Sequence, residues 1–322
     1  MTSSFWDHIR EETRRSPRFA IMVALMIYLL SKLILFPLLG VLISIGFQLD
    51  GTALQAILSG EAPVSGRNHL IFWILQGGNQ LLSWGLVAWI MIRIIGSAEA
   101  AIAWRSPVTN THLWAALGLM LLALPLAQGL TLQPEQLDLP HWLDGIEARM
   151  HAKEAASQRT LLVILNQTSP IVMIMNLLVF ALLPAICEEA FFRGFLQRQL
   201  QKSWGPLVAI IVTALAFSFI HFQVYGFFSR AMLGGLLGIL LWRSGSLFPS
   251  ILAHFIYNAA SVVATYFLAL QGQLGPETFS RGYGFTYVGI AIGTGVGLLA
   301  LWAYFRLPAA SDQDQVLLRY EK

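Results

Sequence analysis

Glu188 and Glu189 end an apolar run from Ile171 to Cys187 that only Asn176 and Pro184 interrupt, and Arg193 follows Glu189 by four residues. Ionisable side chains in or at the end of a bilayer-length stretch are costly, and they persist where they pair or line a polar cavity. Two later apolar stretches carry histidines at helical spacing: Phe217 with His221, and His254 with Asn258. A carboxylate, two imidazoles and an amide are the parts of a hydrolytic site. The carboxylate takes a proton from water, and the others supply a further acid/base group and hydrogen-bond donors for an oxyanion.

Helical geometry assigns the roles. Adjacent residues diverge by about 100° around a helix, so Glu188 and Glu189 cannot both face one small site. Glu189 and Arg193, at i and i+4, share a face and suit an ion pair. Glu188 is then left to face a cavity. Phe217 and His221 share a face, as do His254 and Asn258. Glu188 lies sixteen residues before Trp204 and His221 seventeen after it. An antiparallel hairpin turning at Ser203-Trp204-Gly205-Pro206 therefore brings both to nearly one depth, at about 1.5 Å of rise per residue. His254 follows the connection after span 6 by about eight to ten residues and Asn258 lies one turn deeper, which places all four in the cytoplasmic half or near the middle of the bundle.

The elements that must hold these groups are membrane helices. The 322 residues are 56% apolar and only 11% charged, outside the range of soluble domains. The fold class expected is an all-α, polytopic membrane bundle of about eight transmembrane helices with N-in and C-in topology. Span 1 covers about 19–47, with Lys32 inside it; span 2 covers 69–95, with Gln76 to Gln80 as a polar patch read as packing or hydration. Span 3 covers 113–130 and is kinked at Pro125. Span 4 begins near Leu161 or Ile171, and spans 5 to 8 start near Leu207, Phe227, Phe248 and Tyr287. Gly289, Gly293 and Gly297, four residues apart, form a close-packing helix face. By this scheme thirteen Lys and Arg fall on the side of the N-terminus and six on the other, which sets the orientation.

The chain divides into a cytoplasmic N-terminal segment (1–18), three N-terminal spans (19–131), a polar extracytoplasmic cap (132–160), a core of spans 4 to 8 (161–306) and a cytoplasmic tail (307–322). The cap reads as a solvated cover or as a lid facing substrate. The first apolar run is too long for a signal-peptide h-region and lacks a small-x-small cleavage site, so it is expected to stay as a span. Cys187, the single cysteine, excludes an intramolecular disulfide framework. The +3 net charge is scattered over loop ends, which argues against a nucleic-acid partner.

At Glu188-Glu189-x-x-x-Arg193, Phe217-x-x-x-His221 and His254-x-x-x-Asn258 the sequence resembles the CPBP family of intramembrane proteases, also called Abi, which includes the Ras-converting CAAX prenyl endopeptidases. The resemblance covers about Leu177 to Ala260 and extends to the Phe-Phe-Arg-Gly run at 191–194. It implies an endopeptidase with a site open to the cytosol, cutting near the C-terminus of a membrane-associated, prenylated or otherwise lipidated peptide or protein. The expected location is a bacterial plasma (inner) membrane. Glu188, His221, His254 and Asn258 are the expected catalytic residues, with Glu189, Arg193 and Phe217 in support.

Two alternatives stay open. The resemblance does not decide between a metal-independent glutamate protease, which is preferred because no His-Glu-x-x-His run is present, and a zinc enzyme with Glu188, His221 and His254 as ligands. A non-proteolytic protein, either a bacteriocin-immunity scaffold or a proton-coupled transporter, would use the same groups differently. No internal repeat of the kind common in transporters is evident.

Overall fold

The computed structural model describes residues 5–62, 66–95, 110–132, 140–275 and 287–306. The tail expected at 307–322 lies outside the described residues, as do Arg105 and residues 133–139 of the cap. The described residues contain helices and no strand. Pro17–Gly46, Gly66–Ile95, Asn110–Leu130, Leu247–Leu270 and the stretch Pro170–Phe219 are long and apolar enough to cross a membrane. Phe227–Ser244 and Tyr287–Arg306, in the places of the sixth and eighth expected spans, are helical as well. Leu33, Ile45 and Leu207 are 74%, 70% and 70% exposed. Side chains of that size on the outside of a bundle suit contact with lipid rather than water. This is an integral membrane protein.

In chain order the helices are α1 (Phe5–Arg15), α2 (Pro17–Gly46), α3 (Gly51–Leu58), α4 (Gly66–Ile95), α5 (Asn110–Leu130) and α6 (Asp144–Leu165). They are followed by α7 (170–204), α8 (206–219), α9 (Phe227–Ser244), α10 (Leu247–Leu270) and α11 (Tyr287–Arg306). Local chemistry sets the boundaries. Ser16 caps α2 by accepting from the Phe19 N–H, with Pro17 next to it, a pairing that suits a helix start. Gly205, at φ 73°, breaks the stretch Pro170–Phe219 ahead of Pro206, so the turn lies where the sequence placed it. Gly245, at φ 65°, ends α9 in the left-handed conformation, which glycine adopts without a Cβ penalty. The cap helix α6 runs on through Leu165, and the next span starts at Pro170. Leu161 therefore belongs to the cap helix rather than to the fourth span.

The hairpins give the bundle two ends. At one end α1 packs on α2 and α4, Arg14 Nε donates to the Ile95 carbonyl at 2.8 Å, and Arg243 donates to the Tyr304 carbonyl at 3.1 Å. The turns at Gly205 and Gly245 belong to this end, where Arg198 donates to the Gly245 carbonyl at 3.3 Å. At the other end α6 meets α3, with Thr160 Oγ1 donating to the Leu58 carbonyl at 3.3 Å. There too the Leu132 N–H donates to the Tyr225 carbonyl at 2.8 Å.

Three packing features hold the site helices. Trp84, Phe191, Phe192, Phe195 and Phe217 form an aromatic cluster with Ala20, Val23 and Met91, joining α7 to α2, α4 and α8. On α9, Gly234 and Gly238 let α7 and α8 approach closely: a Cβ at Gly234 would lie 3.0 Å from Ala214 Cα, and one at Gly238 would lie 2.9 Å from Gln197 Oε1. The glycine face of α11 packs on α5, where a Cβ at Gly297 would lie 2.1 Å from Leu122 Cβ and 2.6 Å from Leu122 Cα. Backbone that close cannot yield cheaply. Gly297→Val should lower stability by at least about 1–3 kcal/mol, the usual penalty for overpacking. Thermal unfolding in detergent checks it, and an unchanged midpoint would contradict the packing.

Candidate active site

Widened π turns shape the helix that carries the glutamates. Leu177–Leu182 and Phe192–Gln197 are π-helical and bracket the α-helical segment Leu183–Phe191. Another π turn, Leu81–Gly85, directly follows Gln80 on α4. Such insertions rotate the residues beyond them and recur at functional sites.

Glu189 lies at the centre of a buried charge cluster. Its Oε1 accepts from Arg193 NH1 at 2.7 Å and from His254 Nδ1 at 2.9 Å. Arg193 is fully buried, donates NH2 to the Gly234 carbonyl at 2.9 Å, and sits 4.9 Å from the Phe217 ring centroid. One turn along, Gln197 donates to the Gly238 carbonyl at 3.0 Å. Two donors from α7 thus meet two carbonyls of α9, and this is where the glycines on α9 matter. The i, i+4 pair expected from spacing is present, and the His254 contact adds a partner that spacing did not reveal.

Glu188, the neighbouring carboxylate, faces a different way. Its Oε1 accepts from Gln80 Nε2 at 3.0 Å, and its Oε2 lies 3.9 Å from His254 Nε2. The His254 ring therefore spans the two glutamates, one at each nitrogen. His221 Nδ1 lies 2.7 Å from the Phe217 carbonyl. A carbonyl can only accept, so Nδ1 carries a proton and Nε2 is the ring's acceptor in the neutral form. The Phe217 ring packs edge-on against both His221 and His254, with centroids 5.0 and 5.8 Å away. It fixes the two imidazoles relative to each other.

Glu188, His221, His254 and Asn258 all line one cavity of about 520 Å³. Glu189 and Arg193 lie outside its walls and support it from behind. Gln76 and Gln80 also line it, so the polar patch of span 2 belongs to the site rather than to packing alone. Their i, i+4 spacing was the available signal, the same spacing that paired the histidines with Phe217 and Asn258. The wall also includes Arg230 and Tyr257, and the cap helix closes it with Glu154 and Gln158. The cap thus faces the site. It is tied down by Tyr225, whose hydroxyl lies 2.9 Å from His151 Nδ1.

Lys32 lies away from this cavity and donates to Asn79 Oδ1. That is the polar pairing expected of a lysine inside a span. Among the described residues no group of three His, Cys, Asp or Glu side chains is arranged to hold a metal ion. His254 and His221 each commit Nδ1, to Glu189 and to the Phe217 carbonyl, which leaves both Nε2 atoms on the cavity side, an arrangement that metal-ligating imidazoles also use.

Residues 170–260 match the family model of the Rce1-like, type II CAAX prenyl endopeptidases. The matched segment is similar to that family over these residues. It contains Glu188, Glu189, Arg193, Phe217, His221, His254 and Asn258, and it leaves α1 to α6 outside. Comparison with curated proteins and with solved structures gives no match. The matched segment supplies the charge cluster and both histidines. Gln76, Gln80 and the α6 residues that complete the cavity come from outside it.

Proposed function

We propose that this protein is an intramembrane endopeptidase of the CAAX type, a multi-pass protein of a bacterial plasma membrane, that uses a glutamate-activated water. The observation that carries the reading is the convergence of Glu188, His221, His254 and Asn258 on one cavity within a segment matching an endopeptidase family. Water held between Glu188 and His221 gives its proton to the Glu188 carboxylate. The hydroxide attacks the scissile carbonyl, and the tetrahedral oxyanion takes hydrogen bonds from Asn258 and His254. Asn258 can donate from its amide without a change of protonation. His254 donates from Nε2 only when both ring nitrogens carry protons, because Nδ1–H is committed to Glu189. Glu188 then passes its proton to the leaving nitrogen, so the amide becomes a carboxylic acid and an amine. Gln80 holds the far side of the Glu188 carboxylate and is a positioning residue.

The substrate on this reading is a peptide or a prenylated or otherwise lipidated protein whose scissile bond lies near its C-terminus and close to the bilayer. The charge cluster behind Glu188 is electrostatic support. A His221→Ala protein should insert normally and let an uncleaved precursor accumulate. Wild-type protein should keep its activity after exhaustive chelation. Zinc at one equivalent together with activity lost on chelation would replace the glutamate mechanism with a metal one. Cleavage that persists in well-inserted His221→Ala protein would remove His221 from the mechanism.

A further inference from the structure

The cavity has a direction. Its lining includes Thr131, Leu132, Glu154, Gln158 and Tyr225, all from the end of the bundle that carries α6. Among the described residues, none from the opposite end, with α1 and the turns at Gly205 and Gly245, lines it. The two ends also differ in charge. Of the described residues, nine lysines and arginines lie at the α1 end, among them Arg10, Arg14, Arg15, Arg198 and Lys202, against three acids. At the α6 end five cations, Arg67, Arg149, Lys153, Arg159 and Arg230, face five acids. An excess of Lys and Arg near span ends marks the cytoplasmic side.

We infer that the site opens on the non-cytoplasmic face and takes its substrate from there. The mouth fits such a segment. Glu154, Gln158, Ser229 and Arg230 supply a polar rim for a chain emerging from the bilayer, and Leu161, Leu165, Phe180 and Leu233 supply apolar wall below it. The substrate class is then a membrane-anchored or exported peptide whose cleavage site has already crossed the membrane. A prenylated protein tail held at the cytoplasmic surface would meet the wrong end. A cytosolic opening, as the family resemblance implies, and an N-in topology cannot both hold for this architecture. The charge distribution favours keeping N-in.

The substrate half of this inference rests on the protease reading, and the orientation half does not. Cys187 is buried, so the wild-type chain serves as the unlabelled control. Single cysteines at two exposed positions, Ala148→Cys on α6 and Ser203→Cys at the α7–α8 turn, are treated in intact spheroplasts with a membrane-impermeant maleimide and again after permeabilisation. The expected result is labelling of Ala148→Cys in intact spheroplasts and of Ser203→Cys only once they are permeabilised. The reverse pattern, or labelling of both before permeabilisation, would overturn the inference. Because this readout needs no activity, an inactive site and a misassigned orientation give separate answers.

Discussion

Glu188→Gln should reduce peptide hydrolysis by about 10²- to 10⁴-fold, the range supplied by a positioned general base, while leaving insertion and folding intact. The amide keeps the shape of the side chain and can still meet Gln80 and line the cavity, but it cannot take a proton from water. The carboxylate lies 3.0 Å from an amide donor and 3.9 Å from the His254 ring, so the substitution removes a charge without opening a void. Turnover in detergent or liposomes, normalised to folded protein, gives the number. Wild-type turnover from a folded Glu188→Gln protein would remove Glu188 from the chemistry.

The second large effect concerns stability. Arg193→Ala leaves the Glu189 carboxylate buried with His254 as its remaining partner, since the arginine and the glutamate are both fully buried. Breaking a buried ion pair by removing one member typically costs about 3–5 kcal/mol. The Gly234 carbonyl also loses its side-chain donor. The double substitution Glu189→Gln with Arg193→Gln removes both charges and should cost less than Arg193→Ala alone. Unfolding midpoints of the three proteins measured in one detergent decide it. Equal losses for the single and the double variant would mean that packing rather than charge dominates there.

Much of the site was legible because helix geometry constrains it tightly. Glu189 and Arg193 could be paired from an i, i+4 spacing, and the hairpin count about Trp204 placed Glu188 and His221 at one depth. Gly205 and Pro206 marked the turn by residue type alone. Other parts were hidden for physical reasons. The sequence alone supports packing or hydration for Gln80, because an amide within a span looks the same whether it bridges helices, binds water or holds a carboxylate. The cap helix spaces Trp142, Ile146 and Met150 along one side, which allowed a lid facing substrate but did not single out Glu154 and Gln158 as the residues that face the cavity. The π turns around α7 shift the register of the residues beyond them, and no periodicity reveals them. Equal depth also leaves open which end of the bundle a cavity faces. That depends on how helices splay at their ends, here around α6 and the 220–226 loop.

The most direct test of the central claim needs no known substrate. Quantitative mass spectrometry of peptide termini in membranes would compare cells carrying the wild-type protein with cells carrying equal amounts of inserted Glu188→Gln protein. Water activated by Glu188 predicts a set of new C-termini, with their matching released peptides, that is present in the first sample and lost from the second. Identical termini in both would contradict it.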